Sequence, residues 1–272
     1  MSNIVTTYSG NLTGLAVLVT GGGTGIGQGC AEELVADGAH VTICGRREDV
    51  LKAAADRIAA RISHGGSVRF TVADVTDEAS VAAAVTYAAE RTGVLNGCVA
   101  NAGGGGLLYG YQDMDAQEFE RVLRLNVLGT MLCIKHTLPR LIGAGGGSFV
   151  GMSSLAGHVT HPWMGAYPVS KAGIETMMRN AADENGCHRV RFNAVRPGFI
   201  ATEVMAGIPQ DSDVYRSYIE NTPMADVGLP ADVGRLVRFL ISPESRWITG
   251  QSIGVDGGHG LRRGPDFTPF KA

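Results

Sequence analysis

Leu15-Ala16-Val17-Leu18-Val19-Thr20-Gly21-Gly22-Gly23-Thr24-Gly25-Ile26-Gly27 decides the fold. Leu15–Thr20 is a short apolar run of the kind that forms a strand buried on both faces. A glycine-rich turn follows, and Gly25–Asp37 then reads as a helix that Gly38 stops. Such a turn lets backbone amides reach a pyrophosphate, and the helix N-terminus adds favourable electrostatics. Gly21, Gly25 and Gly27 have the spacing Gly-x-x-x-Gly-x-Gly, which is not the dinucleotide fingerprint Gly-x-Gly-x-x-Gly. A glycine-rich turn alone is a weak signal, since many are purely structural. Its place between a buried strand and a helix rich in small residues makes it a phosphate cradle. The expected contacts are Gly21, Gly23, Thr24, Gly25, Ile26 and Gly27.

Outward from this unit, apolar runs alternate with amphipathic stretches. Strands are expected at Val41–Cys44, Val68–Val72, Gly97–Ala100, Ser148–Met152, Arg191–Val195 and Ser252–Val255. Helices are expected at Asp49–Ile62, Glu78–Arg91, Glu118–Leu141, Ala166–Glu184 and Pro230–Ile241. Strands apolar on both faces and separated by helices imply a parallel sheet covered on two sides. The fold class is α/β, one Rossmann-type doubly wound parallel sheet. No Pro/Ser-rich linker divides the chain, so residues 1–272 are expected to form a single domain. Its core spans about residues 12–258, with tails at 1–10 and 261–272.

Composition narrows the function classes. Apolar residues make up 44% of the 272, enough for a substantial core. No apolar run approaches the roughly 18 residues of a membrane helix, and no secretory signal is visible. A cytoplasmic protein is expected. The net charge of −3, with no basic run longer than Arg46-Arg47, argues against nucleic acid. The five cysteines lack metal spacing, and Cys30, Cys44, Cys98 and Cys133 fall in apolar segments. They read as reduced core residues, and no metal site is expected.

The end of the second strand bears on cofactor choice. An acidic residue there usually binds the ribose 2′-hydroxyl of a dinucleotide. Here the chain reads Ile43-Cys44-Gly45-Arg46-Arg47, without that carboxylate. Two guanidiniums suit a 2′-phosphate, so NADP(H) is favoured over NAD(H). Asp74, followed by Val75, comes after the third strand, where it can accept from an adenine amino group. It could also cap the next helix, although Thr76 or Asp77 is better placed for that. Asn101-Ala102-Gly103 follows the fourth strand, at the sheet edge where open α/β proteins bind ligands.

Ala166-Tyr167-Pro168-Val169-Ser170-Lys171 carries the second signal. A tyrosine loses its proton near pH 10, so acid/base work near neutrality calls for a nearby positive charge. Positions four apart share a helix face, which brings Lys171 to Tyr167. Ser154, at the end of a strand, can donate to a substrate oxygen. Pro168 is tolerable at a helix start. A Tyr-x-x-x-Lys pair alone is common by chance. Joined to Ser154 and the cradle, it points to hydride transfer between a nicotinamide and a carbonyl or alcohol.

Over residues 12–258 the chain resembles the short-chain dehydrogenase/reductase family, close to its 3-oxoacyl reductase and hydroxysteroid dehydrogenase-like members. The matching pieces are Thr20-Gly21-x-x-x-Gly25-Ile26-Gly27, Asp74, Asn101-Ala102-Gly103, Leu125-Asn126-Val127, Ser153-Ser154, Tyr167-x-x-x-Lys171, Pro197-Gly198 and Val255-Asp256-Gly257-Gly258. The resemblance implies a catalytic tetrad of Asn126, Ser154, Tyr167 and Lys171. In it Lys171 lowers the pKa of Tyr167 and holds the nicotinamide ribose, and Asn126 holds a water. Pro197, Gly198, Ile200 and Thr202 would line the nicotinamide. The resemblance also implies a homodimer or homotetramer built on the two long helices, whose Leu128, Leu132, Met177 and Met178 look like surplus apolar surface.

Several features lie outside that pattern. The run Gly103–Gly106 is expected to make a flexible loop. His158 and His161 read as loop or substrate-wall residues rather than metal ligands. Trp163 and Met164 read as an apolar wall or plain packing. Ala201–Pro223 reads as a lid. The substrate class stays open between a 3-oxoacyl thioester, a steroid or other hydrophobic ketone, and a sugar or polyol, and the apolar residues near the site tilt the expectation to a small, lipophilic carbonyl compound or alcohol. A dinucleotide-binding sensor or scaffold without turnover is the rival reading. A reductase of activated double bonds or an epimerase-like enzyme is a second, but such relatives usually alter the Ser/Tyr set or carry a larger C-terminal substrate domain.

Overall fold

The computed structural model describes residues 12–62, 64–203, 205–264 and 267–270. Seven strands, β1 (Ala16–Thr20), β2 (His40–Gly45), β3 (Ser67–Val72), β4 (Gly97–Ala100), β5 (Gly147–Met152), β6 (Val190–Pro197) and β7 (Ser252–Val255), form one sheet. Their order is β3-β2-β1-β4-β5-β6-β7, and every pairing is parallel. The chain runs one way from β1 to β3 and then returns to β4 beside β1, so a crevice opens at the C-terminal ends of β1 and β4.

Eight α-helices flank the sheet: α1 (Gly25–Ala36), α2 (Glu48–Ala59), α3 (Glu78–Glu90), α4 (Ala116–Leu123), α5 (Gly129–Gly143), α6 (Ala166–Asn185), α7 (Asp213–Asn221) and α8 (Pro230–Ile241). The period of two along the strands feeds two cores. Ala16 and Leu18 face a layer with Phe149, Phe192, Ile174 and Met178. Val17 and Val19 face the opposite layer with Leu34, Ile43, Leu51, Ile58 and Leu240. Each such fully buried aliphatic side chain contributes about 1.5–3 kcal/mol. Asp77, rather than Asp74, caps α3, accepting from Ser80 N at 3.0 Å.

The structure departs from the sequence reading in four places. The long helix expected at Glu118–Leu141 is α4 and α5 joined by a π-helical turn, Arg124–Leu128. Ala201–Pro223, expected to be irregular or weakly helical, contains the regular helix α7, begun by Ser212 accepting from Tyr215 N. The expected C-terminal tail is folded on the body as far as it is described: Phe267 is 6% exposed and packs with Phe199, Val214 and Tyr218. An aromatic side chain supplies enough apolar area to hold such a segment down. Finally, Leu132 and Met178 are core residues, and Leu128 and Met177 pack partly buried against them, so none is surplus surface. The exposed apolar residues on these helices include Met131 and Val169. The expected tail 1–10 lies outside the described residues. No helix among the described residues is long and apolar enough to cross a membrane.

Candidate active site

A cleft of about 570 Å³ opens at the C-terminal edge of the sheet. The β1–α1 turn forms its floor. Gly21 has φ +64°, a left-handed conformation that suits glycine, and its N–H donates to Cys44 O at 2.8 Å. A Cβ on Gly27 would lie 2.2 Å from Gly21 O, so the helix start packs directly on the turn. Asn101 locks the turn from β4, with Nδ2 donating to Thr20 O at 3.0 Å and Gly21 O at 3.2 Å. Thr20 Oγ1 in turn accepts from the backbone N–H of Asn101 and Ala102 at 3.0 and 2.9 Å.

Thr24 is the N-cap of α1 but makes no side-chain cap bond, and the first turn carries no acidic residue. The amides of this helix end thus face the cleft without a protein acceptor in the cap position, which fits an anionic group. Arg46 and Arg47 are exposed on one side of the same cleft. Asp74 and Val75 also line it. Asp74 accepts from Thr76 N and Oγ1 at 2.9 and 2.8 Å. The Thr76 amide does most to hold its carboxyl below the usual range, helped by Arg46 and Arg124. Gly23, Gly25, Ile26, Gly103, Pro197, Gly198, Ile200 and Thr202 complete this half of the lining. A dinucleotide would fit here: glycines at the pyrophosphate, guanidiniums at one end and the Tyr/Lys pair at the other.

Tyr167 lies in the first turn of α6 and Lys171 one turn later, so both side chains enter the cleft from one helix face. Lys171 Nζ donates to Met152 O at 2.8 Å and stands 5.5 Å from the Tyr167 ring centre. Burial pulls its pKa down to about 8. Burial pushes the Tyr167 phenol up, and a hydrogen bond with Ser154 pulls it down. Ser154 follows β5 and accepts from Ala156 N at 3.2 Å, which fixes its hydroxyl at the cleft.

Asn126 is fully buried in the π-helical turn and does not line the cleft. Its Nδ2 donates to Gly104 O at 2.9 Å and Ser170 Oγ at 2.8 Å, and its Oδ1 accepts from Gly104 N at 2.9 Å. The glycine run expected to be flexible is therefore tied at Gly104, through Asn126, to α6.

Sequence reasoning missed a network behind the site. Arg196, in β6, forks onto Glu175, in α6, with Nε and Nη2 donating at 2.6 and 2.7 Å. Ser153 Oγ stands 2.9 Å from the same carboxylate and 3.0 Å from the Lys171 carbonyl. The available signal was a glutamate and an arginine set among apolar core positions. The substrate side also holds residues the sequence placed only loosely. His161 and Met164 line the cleft, as do Leu155, Phe199, Met205 and Tyr218. His158 is exposed and outside the lining, and Trp163 donates Nε1–H to Thr268 Oγ1 at 3.3 Å. Among the described residues, no group of His, Cys, Asp and Glu is arranged to hold a metal ion.

A fold wound this way, with a glycine cradle at one end of its cleft and a Ser/Tyr/Lys set at the other, is that of a nucleotide-dependent oxidoreductase. The chain belongs to the short-chain dehydrogenase/reductase family and is an NAD(P)-dependent enzyme acting on CH–OH and C=O groups. A family model described as enoyl-(acyl carrier protein) reductase matches residues 21–260. The chain is 34% identical to 2-(S)-hydroxypropyl-CoM dehydrogenase 3 of Xanthobacter autotrophicus, over 92% of this chain and 98% of that one. It is 33% identical to the NADP-dependent (R)-specific alcohol dehydrogenase of Lentilactobacillus kefiri, over 91% and 97%. A short-chain type dehydrogenase/reductase from Mycobacterium ulcerans superimposes with a TM-score of 0.93 at 42% identity, over 95% of this chain and 94% of that one.

Proposed function

We propose that this chain is an NADP(H)-dependent carbonyl reductase and secondary-alcohol dehydrogenase for a small, lipophilic substrate. The observation that carries the reading is the meeting of Ser154, Tyr167 and Lys171 in one cleft with the uncapped N-terminus of α1. Bound NADP(H) would supply or accept the hydride. Ser154 Oγ donates to the substrate oxygen and holds it beside the phenol. Tyr167 Oη passes its proton to that oxygen in reduction and takes it back in oxidation. Lys171, still mostly charged at neutral pH with its pKa near 8, stabilises the phenolate left behind. Asn126 acts on this set from behind, through Ser170 and Gly104.

The roles of the cofactor half follow the same reading. Gly21, Gly23, Thr24, Gly25, Ile26 and Gly27 take the pyrophosphate. Asp74 and Val75 take the adenine, while Arg46 and Arg47 take the 2′-phosphate. Asn101, Ala102, Gly103, Lys171, Pro197, Gly198, Ile200 and Thr202 take the nicotinamide riboside. The expected state is a single-domain cytoplasmic homodimer or homotetramer. Reduction of an activated double bond is disfavoured, because Ser154 and Tyr167, which such relatives usually alter, are both present in the cleft. A sensor without turnover has no use for this arrangement.

Cofactor oxidation across a ketone panel tests the proposal. Tyr167→Phe is expected to lower kcat about 10²–10⁴-fold while cofactor still binds. Substantial residual turnover would sink the chemistry. Arg46→Ala is expected to weaken NADP(H) binding by about tenfold or more and leave NAD(H) nearly unchanged. Tighter NAD(H) binding by the wild type would overturn the cofactor assignment.

A further inference from the structure

The apolar substrate wall of Leu155, Met164 and Met205 carries two polar side chains, His161 and Tyr218. We propose that they recognise a hydroxyl group carried by the substrate away from its reacting carbon, making the preferred substrate a hydroxy ketone or diol with an apolar body. This rests on the carbonyl-reductase reading above.

His161 is 7% exposed, and its Nδ1 stands 2.8 Å from Val159 O. A carbonyl oxygen only accepts, so Nδ1 carries the proton and Nε2 keeps its lone pair. That Nε2 has no hydrogen-bond partner among the described residues. Burial holds the ring neutral by keeping its pKa below the usual histidine value. His161 therefore offers the cleft an acceptor.

Tyr218 offers the complementary group. It comes from α7, and its ring is stacked on Phe199 at 4.2 Å. His259 and Phe267 meet it edge-on at 5.8 and 6.1 Å. These three rings fix the phenol from different sides. Its hydroxyl makes no hydrogen bond with the described residues and lies within electrostatic reach of Tyr167. Burial keeps it protonated, so it can donate. Tyr218 meets His259 edge-on, His259 is held by Arg263 O, and a Cβ on the next residue, Gly264, would lie 3.2 Å from His161 Nδ1, so the segment after His259 links the two cleft-lining side chains. His259 itself is engaged at both nitrogens, by Thr222 Oγ1 at 3.4 Å and Arg263 O at 2.9 Å.

An acceptor and a donor on the same wall match a hydroxyl, which both gives and takes a hydrogen bond. A second ketone or an ether only accepts, and would leave Nε2 buried and unpaired. A carboxylate would face the Nε2 lone pair with negative charge. A site built for a hydroxyl discriminates strongly against analogues that lack it.

The experiment compares kcat/KM for ring-hydroxylated cyclohexanones, their methyl ethers and cyclohexanone itself. The wild type is expected to favour the hydroxylated ketones over both by about tenfold or more. Tyr218→Phe and His161→Leu are each expected to lower that ratio by about tenfold, and His161→Gln to recover part of it through its amide oxygen. A wild-type ratio near one, or variants that slow all ketones equally, would overturn the inference while leaving the reductase reading intact. If no ketone is reduced, that reading fails instead. Calorimetric titration of the hydroxylated and parent alcohols then decides this one. A hydroxyl preference lost in Tyr218→Phe upholds it, and no preference overturns it.

Discussion

Lys171 shows what the site costs the fold. Its pKa of about 8, against an ordinary 10.5, means the unfolded chain holds the proton more tightly. Between those two values stability therefore rises with pH, as far as this group is concerned. At neutral pH the buried charge costs on the order of 3 kcal/mol. Lys171→Met is expected to remove that cost, less about 1 kcal/mol for the hydrogen bond to Met152 O, and to abolish turnover. Urea unfolding from pH 7 to 10.5 should show the variant's advantage shrinking steadily. A difference that stays flat would show that Lys171 titrates normally. Tyr167, Lys171 and Ser154 could be singled out by spacing because a helix turn and a strand end fix local geometry. The bonds of Asn126 to Gly104 and Ser170 could not, since they join residues far apart in the chain.

Among the elements, α6 brings Tyr167 and Lys171 to the cleft and β6 leads into the Pro197–Thr202 loop. The Glu175–Arg196 pair ties one to the other, with the glutamate side chain 5% exposed and the arginine 20%. Removing one partner of such a pair strands a buried charge. Glu175→Ala is expected to cost about 3–5 kcal/mol, whereas the double variant Glu175→Met/Arg196→Leu recovers most of it. Denaturant titration of the single and double variants checks this, and a loss under about 1 kcal/mol for Glu175→Ala would make the pair dispensable. Nearly every strand and helix was legible from period and capping, with ends shifted by a few residues. The π-helical turn was not, because Arg124–Leu128 keeps an unbroken helical composition. The extra residue in that turn is visible only in the hydrogen bonds.

For the whole molecule, the open question is assembly. Leu132 and Met178 belong to the core, whereas Met131 and Val169 are 37% and 44% exposed on α5 and α6. We expect a homodimer or homotetramer built on these helices, as the family resemblance implies. Light scattering at micromolar concentration checks it, and a clean monomer would refute it. The two cores either side of the sheet follow from strand alternation alone. The third cluster, which joins Phe199, α7 and Phe267 over the substrate side, does not.

By itself the sequence determined the parallel sheet, the cradle and the Ser154/Tyr167/Lys171 set. Each depends on short-range rules: short apolar runs between helical stretches, a glycine turn before a helix, and a strand-end serine ahead of a tyrosine and lysine spaced by four on one helix face. Tertiary structure alone decided that Phe267 returns to clamp Tyr218, that Asn126 is spent on Gly104 and Ser170, and that His161 lines the cleft with its Nδ1 held by Val159 O. These are contacts between distant segments, or a tautomer set by one backbone carbonyl. No local periodicity encodes them, because they arise only once the core has brought the segments together.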